Sequence, residues 1–153
     1  MKFINLTGYT LRPLVDPGMY QFESHHPNPI MWEEDDGSRW RPNRSFLTDG
    51  MSGGWLVSAI MHCTTFQYRG VFFHDSGYRS GGLWIVMGDA LPDVFTKLSK
   101  LDLDYMLARQ IRAEGATRWQ AIKLVVGLQT PGGWLTWRRY RQQDAPASVA
   151  KKT

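Results

Sequence analysis

The spacing of hydrophobic and polar residues changes from a strand-like to a helix-like period near the middle of the chain. Residues 3–14 mix β-forming and polar side chains, and residues 19–23 alternate as a half-buried strand does. Asp16, Pro17 and Gly18 between them are a strong turn signal. The acidic run at residues 33–38 is typical of an exposed loop, such as a hairpin tip. The first part of the chain therefore predicts a β-hairpin region.

The second half has the spacing of amphipathic helices. Apolar residues recur three and four positions apart over residues 100–114, and a similar series covers residues 118–128. A proline and two glycines at 131–133 predict the end of the second helix. Residues 81–98 are rich in glycine and aromatic side chains, and no element is assigned to them. We expect an α+β fold with the N-terminal β-hairpin region packed on a bundle of about three helices.

The length and composition predict one folded domain. The chain has 153 residues, of which 42% are hydrophobic, and this is enough to bury one core. We place a single globular domain at residues 1–137. No apolar run is long enough for a membrane span and no secretory leader is visible, so we expect synthesis in the cytoplasm. Cys63 is the one cysteine, which excludes an internal disulfide and a cysteine-based zinc cluster.

The positive charge of the chain is concentrated at its C-terminal end. The net charge is +4, and residues 138–153 account for all of it, with five basic residues and one acidic residue. A nucleic-acid-binding protein is expected to carry its basic surface on the folded body, so nucleic acid is not expected as the main partner. We interpret residues 138–153 as a basic, flexible, solvated tail. The alternative is a weak docking segment for an anionic surface or a protein.

The main candidate for chemistry is an H-D-x-x-Y motif at residues 74–78, which follows a glycine-rich turn at residues 49–54. On a helix, His74 and Tyr78 share one face, whereas Asp75 projects about 100° away. A histidine near neutrality can take a proton from water. A carboxylate that faces another way can hold a hard cation that polarises a substrate carbonyl. The motif therefore predicts a hydrolytic site.

Three blocks in this order resemble a small, largely uncharacterised family that is common in tailed phages and prophages. The blocks are F-x-T-D-x-x-S at residues 46–52, H-D-x-x-Y at residues 74–78, and an aspartate followed by apolar residues and a glycine at residues 104–115. The resemblance covers about residues 44–127. It implies synthesis in the host cytoplasm and possible incorporation in the virion.

The same order of blocks is similar to that of calcium-dependent phospholipases A(2), including the disulfide-free domain of parvovirus capsids. This resemblance implies that His74 is the base that activates water and that Asp104 orients the histidine. It also implies that Tyr78 is a supporting hydrogen-bond donor and that Asp75 is a calcium ligand. Calcium prefers oxygen ligands and the histidine tautomer needs a carboxylate partner, so the implied chemistry is coherent.

The glycine-rich turn completes the implied site. In the phospholipases this loop supplies calcium ligands, so the resemblance implies Asp49 as a second metal residue and Ser52 as a supporting residue. The expected function is a phage-encoded, metal-assisted hydrolase, with calcium as the expected cofactor. Its expected substrate is an ester or amide of the host cell envelope, either lipid or peptidoglycan.

Each of these residues also has a purely structural interpretation. His74 and Asp75 can form an oriented polar pair without catalysis, and Asp49 can be a helix cap or turn former, with Ser52 helping. Asp104 can be a polar residue of a first helical turn, favoured by the helix dipole. The protein is then a non-enzymatic tail, baseplate or capsid-associated component of the virion, bound to other virion proteins. A third hypothesis is a peptidoglycan-directed lysis factor.

Burial separates the enzymatic from the structural hypothesis. A solvent-reachable cleft over His74 favours an enzyme, and an enclosed, satisfied His74 favours a structural protein. The other candidates favour structural roles. His25 and His26 have no metal-ligand spacing, and His62 and Cys63 are adjacent and face apart, which predicts an inert thiol. The seven tryptophans are expected to be core or interface anchors.

Overall fold

The computed structural model describes residues 1–15, 19–48, 68–88 and 91–143. In these residues the chain forms eight strands in two antiparallel sheets and four helices. The strands come mostly first and the helices mostly last, so the predicted α+β fold, with an N-terminal hairpin region on a helical bundle, is confirmed. No helix in these ranges is long and apolar enough to cross a membrane.

Two antiparallel sheets make up the β part of the protein. A three-stranded sheet has the order β2-β3-β6, and a five-stranded sheet has the order β1-β4-β5-β7-β8. The strands are β1 (Lys2–Ile4), β2 (Tyr9–Pro13), β3 (Tyr20–Ser24), β4 (Met31–Glu33), β5 (Arg39–Arg41), β6 (Ser45–Thr48), β7 (Gly82–Ile85) and β8 (Val94–Lys97). The strand predicted at residues 19–23 is β3, and the predicted acidic loop connects the antiparallel pair β4 and β5.

The helices are α1 (Gly70–Ser80), α2 (Lys100–Ala113), α3 (Arg118–Leu128) and α4 (Pro131–Gln143). Both helices predicted from apolar spacing, α2 and α3, are confirmed. Each begins with a capping box in which two side chains satisfy free backbone groups: Ser99 with Asp102, and Thr117 with Gln120. Gly115, with φ of +100°, follows α2 in the left-handed conformation that ends many helices.

Two segments of the second half differ from their sequence interpretation. The unassigned residues 81–98 contain β7 and β8, which pair as an antiparallel hairpin at the edge of the larger sheet. The proline and glycines at 131–133 follow the end of α3, as predicted, but they also begin the next helix. Pro131 is the first residue of α4, where its missing N–H costs nothing. The boundary placed at 137/138 falls within α4, and residues 144–153 lie outside the described residues.

Helix α1 lies at the centre of the protein. All of its residues from Gly70 to Arg79 are buried, and it packs on α2, α4, β6 and β7. The hydrophobic core around it includes Phe22 from β3, Phe72 from α1 and Leu103 from α2. A helix buried on all sides usually lacks polar residues, so the polar side chains of α1 need partners within the protein.

Two glycines bring α1 and α2 close together. Gly70 and Gly77 lie on the same face of α1 as His74, because their spacing from it is four and three residues. A Cβ at Gly77 would lie 2.3 Å from Leu103 Cδ2, and one at Gly70 would lie 2.7 Å from Gln110 Cβ. Larger residues would therefore push α2 away from the face that carries His74.

Candidate functional site

The H-D-x-x-Y motif lies on α1, as predicted. His74 and Tyr78 are one turn apart on the same face, with ring centroids separated by 3.9 Å. Asp75 is the next residue along the helix and points away from this face, towards β6. The motif therefore presents one imidazole and one phenol to α2 and one carboxylate to the smaller sheet.

Asp104 on α2 is the centre of the polar cluster. Its side chain is completely buried, and its Oδ1 atom accepts hydrogen bonds from His74 Nε2 at 2.9 Å and from the Tyr78 hydroxyl at 2.5 Å. Ser99 is the N-cap of α2, so Asp104 is the fifth helical residue and lies beyond the first turn. The contacts of Asp104 are thus long-range side-chain bonds, and the helix-dipole interpretation is not needed to explain this residue.

The second oxygen of Asp104 is occupied as well. Lys100 Nζ donates to Oδ2 at 2.6 Å, and the Gln129 amide donates to the same atom. Lys100 is buried, also donates to the Leu128 carbonyl at 2.6 Å, and lies 5.2 Å from the centre of the Trp134 ring. One carboxylate therefore joins α1, α2 and the end of α3.

Lys100 and Gln129 were not predicted as site residues. The i,i+4 spacing of Lys100 and Asp104 is a signal for an ion pair on one helix, but it is too common to single out a buried pair. Gln129 follows α3 in a different segment of the chain, and no local pattern connects it with Asp104.

His74 has its second ring nitrogen directed towards Asp75. The distance from His74 Nδ1 to Asp75 Oδ1 is 3.9 Å, too long for a direct hydrogen bond. In the neutral imidazole, Nε2–H donates to Asp104, and this tautomer leaves Nδ1 as a proton acceptor. A gap of this length between two polar atoms suits a bridging water.

Asp75 also contacts the end of β6. Its Oδ2 atom accepts a hydrogen bond of 2.5 Å from the Thr48 hydroxyl, and both side chains are buried. Thr48 is the last residue of β6 and immediately precedes the predicted glycine-rich turn. The predicted residues Asp49 and Ser52 lie outside the described residues, as do His62 and Cys63.

The charges of the cluster favour a protonated histidine. Burial opposes a charge on His74, but the hydrogen bond to Asp104 and the negative charges of Asp104 and Asp75 outweigh it and raise the pKa of His74 above its ordinary value. Burial would raise the pKa of Asp104, but the hydrogen bonds from His74, Lys100 and Tyr78 lower it. Burial and the adjacent Asp104 raise the pKa of Tyr78, which stays a hydrogen-bond donor.

The residues around Asp75 fit a hard cation in type but supply few of the ligands that it needs. Calcium takes six to eight oxygens, and Asp75 contributes a carboxylate with the Thr48 hydroxyl beside it. Across the described ranges, no group of three or more His, Cys, Asp or Glu side chains is arranged to hold a metal. Further ligands would have to come from residues 49–54, as the resemblance to phospholipases implies.

The cluster is largely enclosed. His74 and Asp75 are each 7% exposed, and Trp137 from α4 packs edge-on against Tyr78 with ring centroids 4.9 Å apart. Among the tryptophans, Trp32 is fully buried, as expected of a core anchor, whereas Trp119 is 71% exposed. His25 hydrogen-bonds Thr10 on the exposed edge of the smaller sheet, in agreement with a polar role.

Fold and site together define an α+β domain whose central helix presents a histidine to a buried aspartate. No protein-family model, curated protein or solved structure matches the chain. The predicted phage family and the likeness to phospholipases A(2) therefore stay predictions, based on the three sequence blocks.

Proposed function

We propose that this protein is a phage-encoded, metal-assisted hydrolase that cleaves an ester or amide of the host cell envelope, with phospholipase A(2)-like activation of water. The observation that supports the proposal is the geometry of His74. One ring nitrogen is bonded to a buried aspartate, and the other is free of a direct bond and lies 3.9 Å from Asp75. In the neutral imidazole this second nitrogen is a proton acceptor.

His74 Nδ1 is the proposed general base. A water between Nδ1 and Asp75 would give a proton to the imidazole, and its oxygen would attack the substrate carbonyl carbon. The imidazolium formed in this step is stabilised by Asp104, which already accepts a hydrogen bond from Nε2. The proton on Nδ1 then passes to the leaving group when the carbon–oxygen or carbon–nitrogen bond breaks.

The role of Asp104 is to position and stabilise the histidine. Its four donors hold the carboxylate in one orientation and keep it ionised, although it is completely buried. A calcium ion at Asp75 would supply positive charge to polarise the substrate carbonyl. Asp75 thus has a proposed role separate from that of Asp104, on the opposite side of the imidazole.

Two measurements test the proposal directly. Calorimetric titration of calcium should show binding by the wild type and loss of binding by Asp75→Asn. Release of fatty acid from mixed phospholipid vesicles should require calcium, and His74→Gln should lower the rate by a factor of about 10² to 10⁴, the usual contribution of a general base. Asp104→Asn should lower it as well, because the amide cannot stabilise the imidazolium.

Exposed residues of the same types provide matched controls. His25→Gln and Asp36→Asn change a histidine and an aspartate outside the cluster, and both should leave calcium binding and hydrolysis unchanged. Hydrolysis that survives in folded His74→Gln would exclude the histidine as the base. Release of soluble fragments from peptidoglycan, with no release from vesicles, would assign the activity to the lysis-factor alternative.

The enclosure of the cluster supports a second candidate function. His74 and Asp75 are only 7% exposed, and each oxygen of Asp104 has a donor. A buried polar network with satisfied hydrogen bonds is expected to stabilise one packing of the helices. The protein would then be a non-enzymatic tail, baseplate or capsid-associated component of the virion. Absence of both calcium binding and hydrolysis in the wild type would favour this function.

A further inference from the structure

A face of α2 that includes Tyr105, about 100° around the helix from Asp104, forms one wall of an open apolar groove. The groove has a volume of about 720 Å³ and runs between α2 and α3. Tyr105 and Ala108 line it on one side, and Ile122, Val125 and Val126 line it on the other. Tyr105 is 50% exposed and Val126 is 63% exposed, so two large side chains of the lining face solvent.

A second cavity continues the groove towards the N-terminal end of α2. It has a volume of about 540 Å³, and it shares Met1, Tyr105 and Arg109 with the first cavity. Its lining includes the acidic loop between β4 and β5, with Glu34, Asp35 and Asp36. Arg109 forms an ion pair of 2.8 Å with Glu34 at the junction of the two cavities.

The two ends of this continuous groove carry opposite charges. Arg112 and Arg118 line the first cavity, and neither forms an ion pair with an acidic residue in the described part of the chain. Asp35 and Asp36 line the other end, and Asp35 is highly exposed although it pairs with the amino group of Met1. Asp102 also lines the acidic end, and Arg112 lines the basic end. These two residues are ten positions apart on α2, so the two ends are separated by about 15 Å along the helix.

We propose that the groove is the interface of a two-fold symmetric dimer of this chain. A two-fold axis near Tyr105 places the basic end of one copy against the acidic end of the other, twice in each interface. The apolar side chains between the ends then cover one another. This arrangement satisfies both charged ends at once, and it does not depend on the proposed hydrolase activity.

The charge pattern favours a second copy over other occupants. An anionic lipid surface or an acidic helix would be attracted by Arg112 and Arg118, but it would be repelled by Asp35 and Asp36 at the other end. A basic partner would meet the reverse problem. A second copy turned by 180° places Arg112 and Arg118 of one copy opposite Asp35 and Asp36 of the other.

Charge-reversed pairs of variants test the interface. Arg112→Glu with Arg118→Glu makes both ends acidic, and Asp35→Lys with Asp36→Lys makes both ends basic, so each protein alone should be monomeric. An equimolar mixture of the two should form a heterodimer, because every contact again joins opposite charges. Sedimentation equilibrium gives the mass of each sample, and circular dichroism checks that each variant is folded.

The control is Arg138→Glu with Arg139→Glu, which makes the same charge change on exposed residues of α4 outside the groove. This variant should dimerise as the wild type does. A monomeric wild type at about 100 μM, well above the dissociation constants of ordinary specific dimers, would overturn the proposal. The proposal would also be overturned if the charge-reversed variants remained dimeric or if their mixture stayed monomeric. A monomer that binds anionic vesicles through Arg112 and Arg118 would overturn it as well.

Discussion

The two faces of α2 differ in how far their polar groups are buried from solvent. On the inner face, Asp104 is completely buried and each of its oxygens has two donors. On the outer face, Tyr105 is half exposed and Arg112 lies in an open groove. Of two adjacent residues of one helix, Asp104 is thus completely buried and Tyr105 is half exposed.

This difference shows which side chains of α2 must keep one set of contacts in the folded protein. A buried carboxylate without partners costs several kcal/mol, so the donors of Asp104 must come from fixed positions on three segments. A half-exposed tyrosine has water as an alternative partner and does not constrain its neighbours. Substitutions on the inner face should therefore affect folding, whereas substitutions on the outer face should affect association.

The largest effect is expected when Asp104 loses its charge. Asp104→Asn leaves the buried Lys100 ammonium without a counter-ion, and this should lower the free energy of unfolding by about 3–5 kcal/mol. The double variant Asp104→Asn with Lys100→Met should be more stable than Asp104→Asn alone. Urea denaturation of the two single variants and the double variant gives the coupling energy. Strict additivity would contradict the buried ion pair.

A smaller effect is expected when α1 and α2 are pushed apart. Gly77→Ala places a Cβ against Leu103, and the overpacking should cost about 1–3 kcal/mol. Gly127→Ala is the matched control, because a Cβ there meets open space in α3, and it should stabilise the helix by about 0.5–1 kcal/mol. Thermal unfolding that ranks the two variants in the reverse order would disprove the close approach of α1 and α2.

The pH dependence of stability should separate His74 from Asp104. The pKa of His74 is raised by folding, so its contribution is complete below about pH 6.5 and is lost as the pH rises through the raised pKa. The pKa of Asp104 is lowered, so its contribution is present above about pH 4 and is lost as the pH falls through the lowered value. Urea denaturation from about pH 6 to about pH 9 should show falling stability in the wild type and a flatter profile in His74→Gln.

If His74 is the base, the rate of hydrolysis should change with pH in the direction opposite to the stability. The base must be neutral to accept a proton, so the rate should rise over the range in which the stability falls. Parallel measurement of the two profiles on one sample checks this relation. A rate that is highest at about pH 5 would contradict the role of His74 as the base.

The smallest effect is expected on the outer surface of α3. Trp119 is 71% exposed and lines neither cavity of the groove, so Trp119→Ser should change the free energy of unfolding by no more than about 0.5 kcal/mol. Urea denaturation measures the change. A cost above about 2 kcal/mol would show that Trp119 is covered in the folded protein.

The sequence predicts those parts of the fold and site that depend on local patterns. The apolar spacing of α2 and α3 gives their bounds to within a residue, because each also begins at a capping box. The H-D-x-x-Y spacing places His74 and Tyr78 on one face of a helix wherever that helix lies. Asp104 was found through a resemblance, and the structure brings it to both side chains.

Other parts depend on contacts between distant segments. Gln129 reaches Asp104 only because α3 packs against α2, and its own neighbours in the chain give no sign of this. The hairpin of β7 and β8, at the edge of the larger antiparallel sheet, has glycines and aromatic residues without a clear period. Pro131 is compatible with the end of one helix and the start of the next, and the turn before it decides between them.

Lys100 has a consequence for the local opening of the protein, because it bonds both Asp104 and the Leu128 carbonyl at the end of α3. When the last turn of α3 unravels, the ammonium loses one acceptor and the Asp104 carboxylate loses the nearby Gln129 donor. Partial opening at that end should therefore loosen the centre of α1 as well. Backbone amides of Val125 to Gln129 and those around His74 should exchange with deuterium as one cooperative unit.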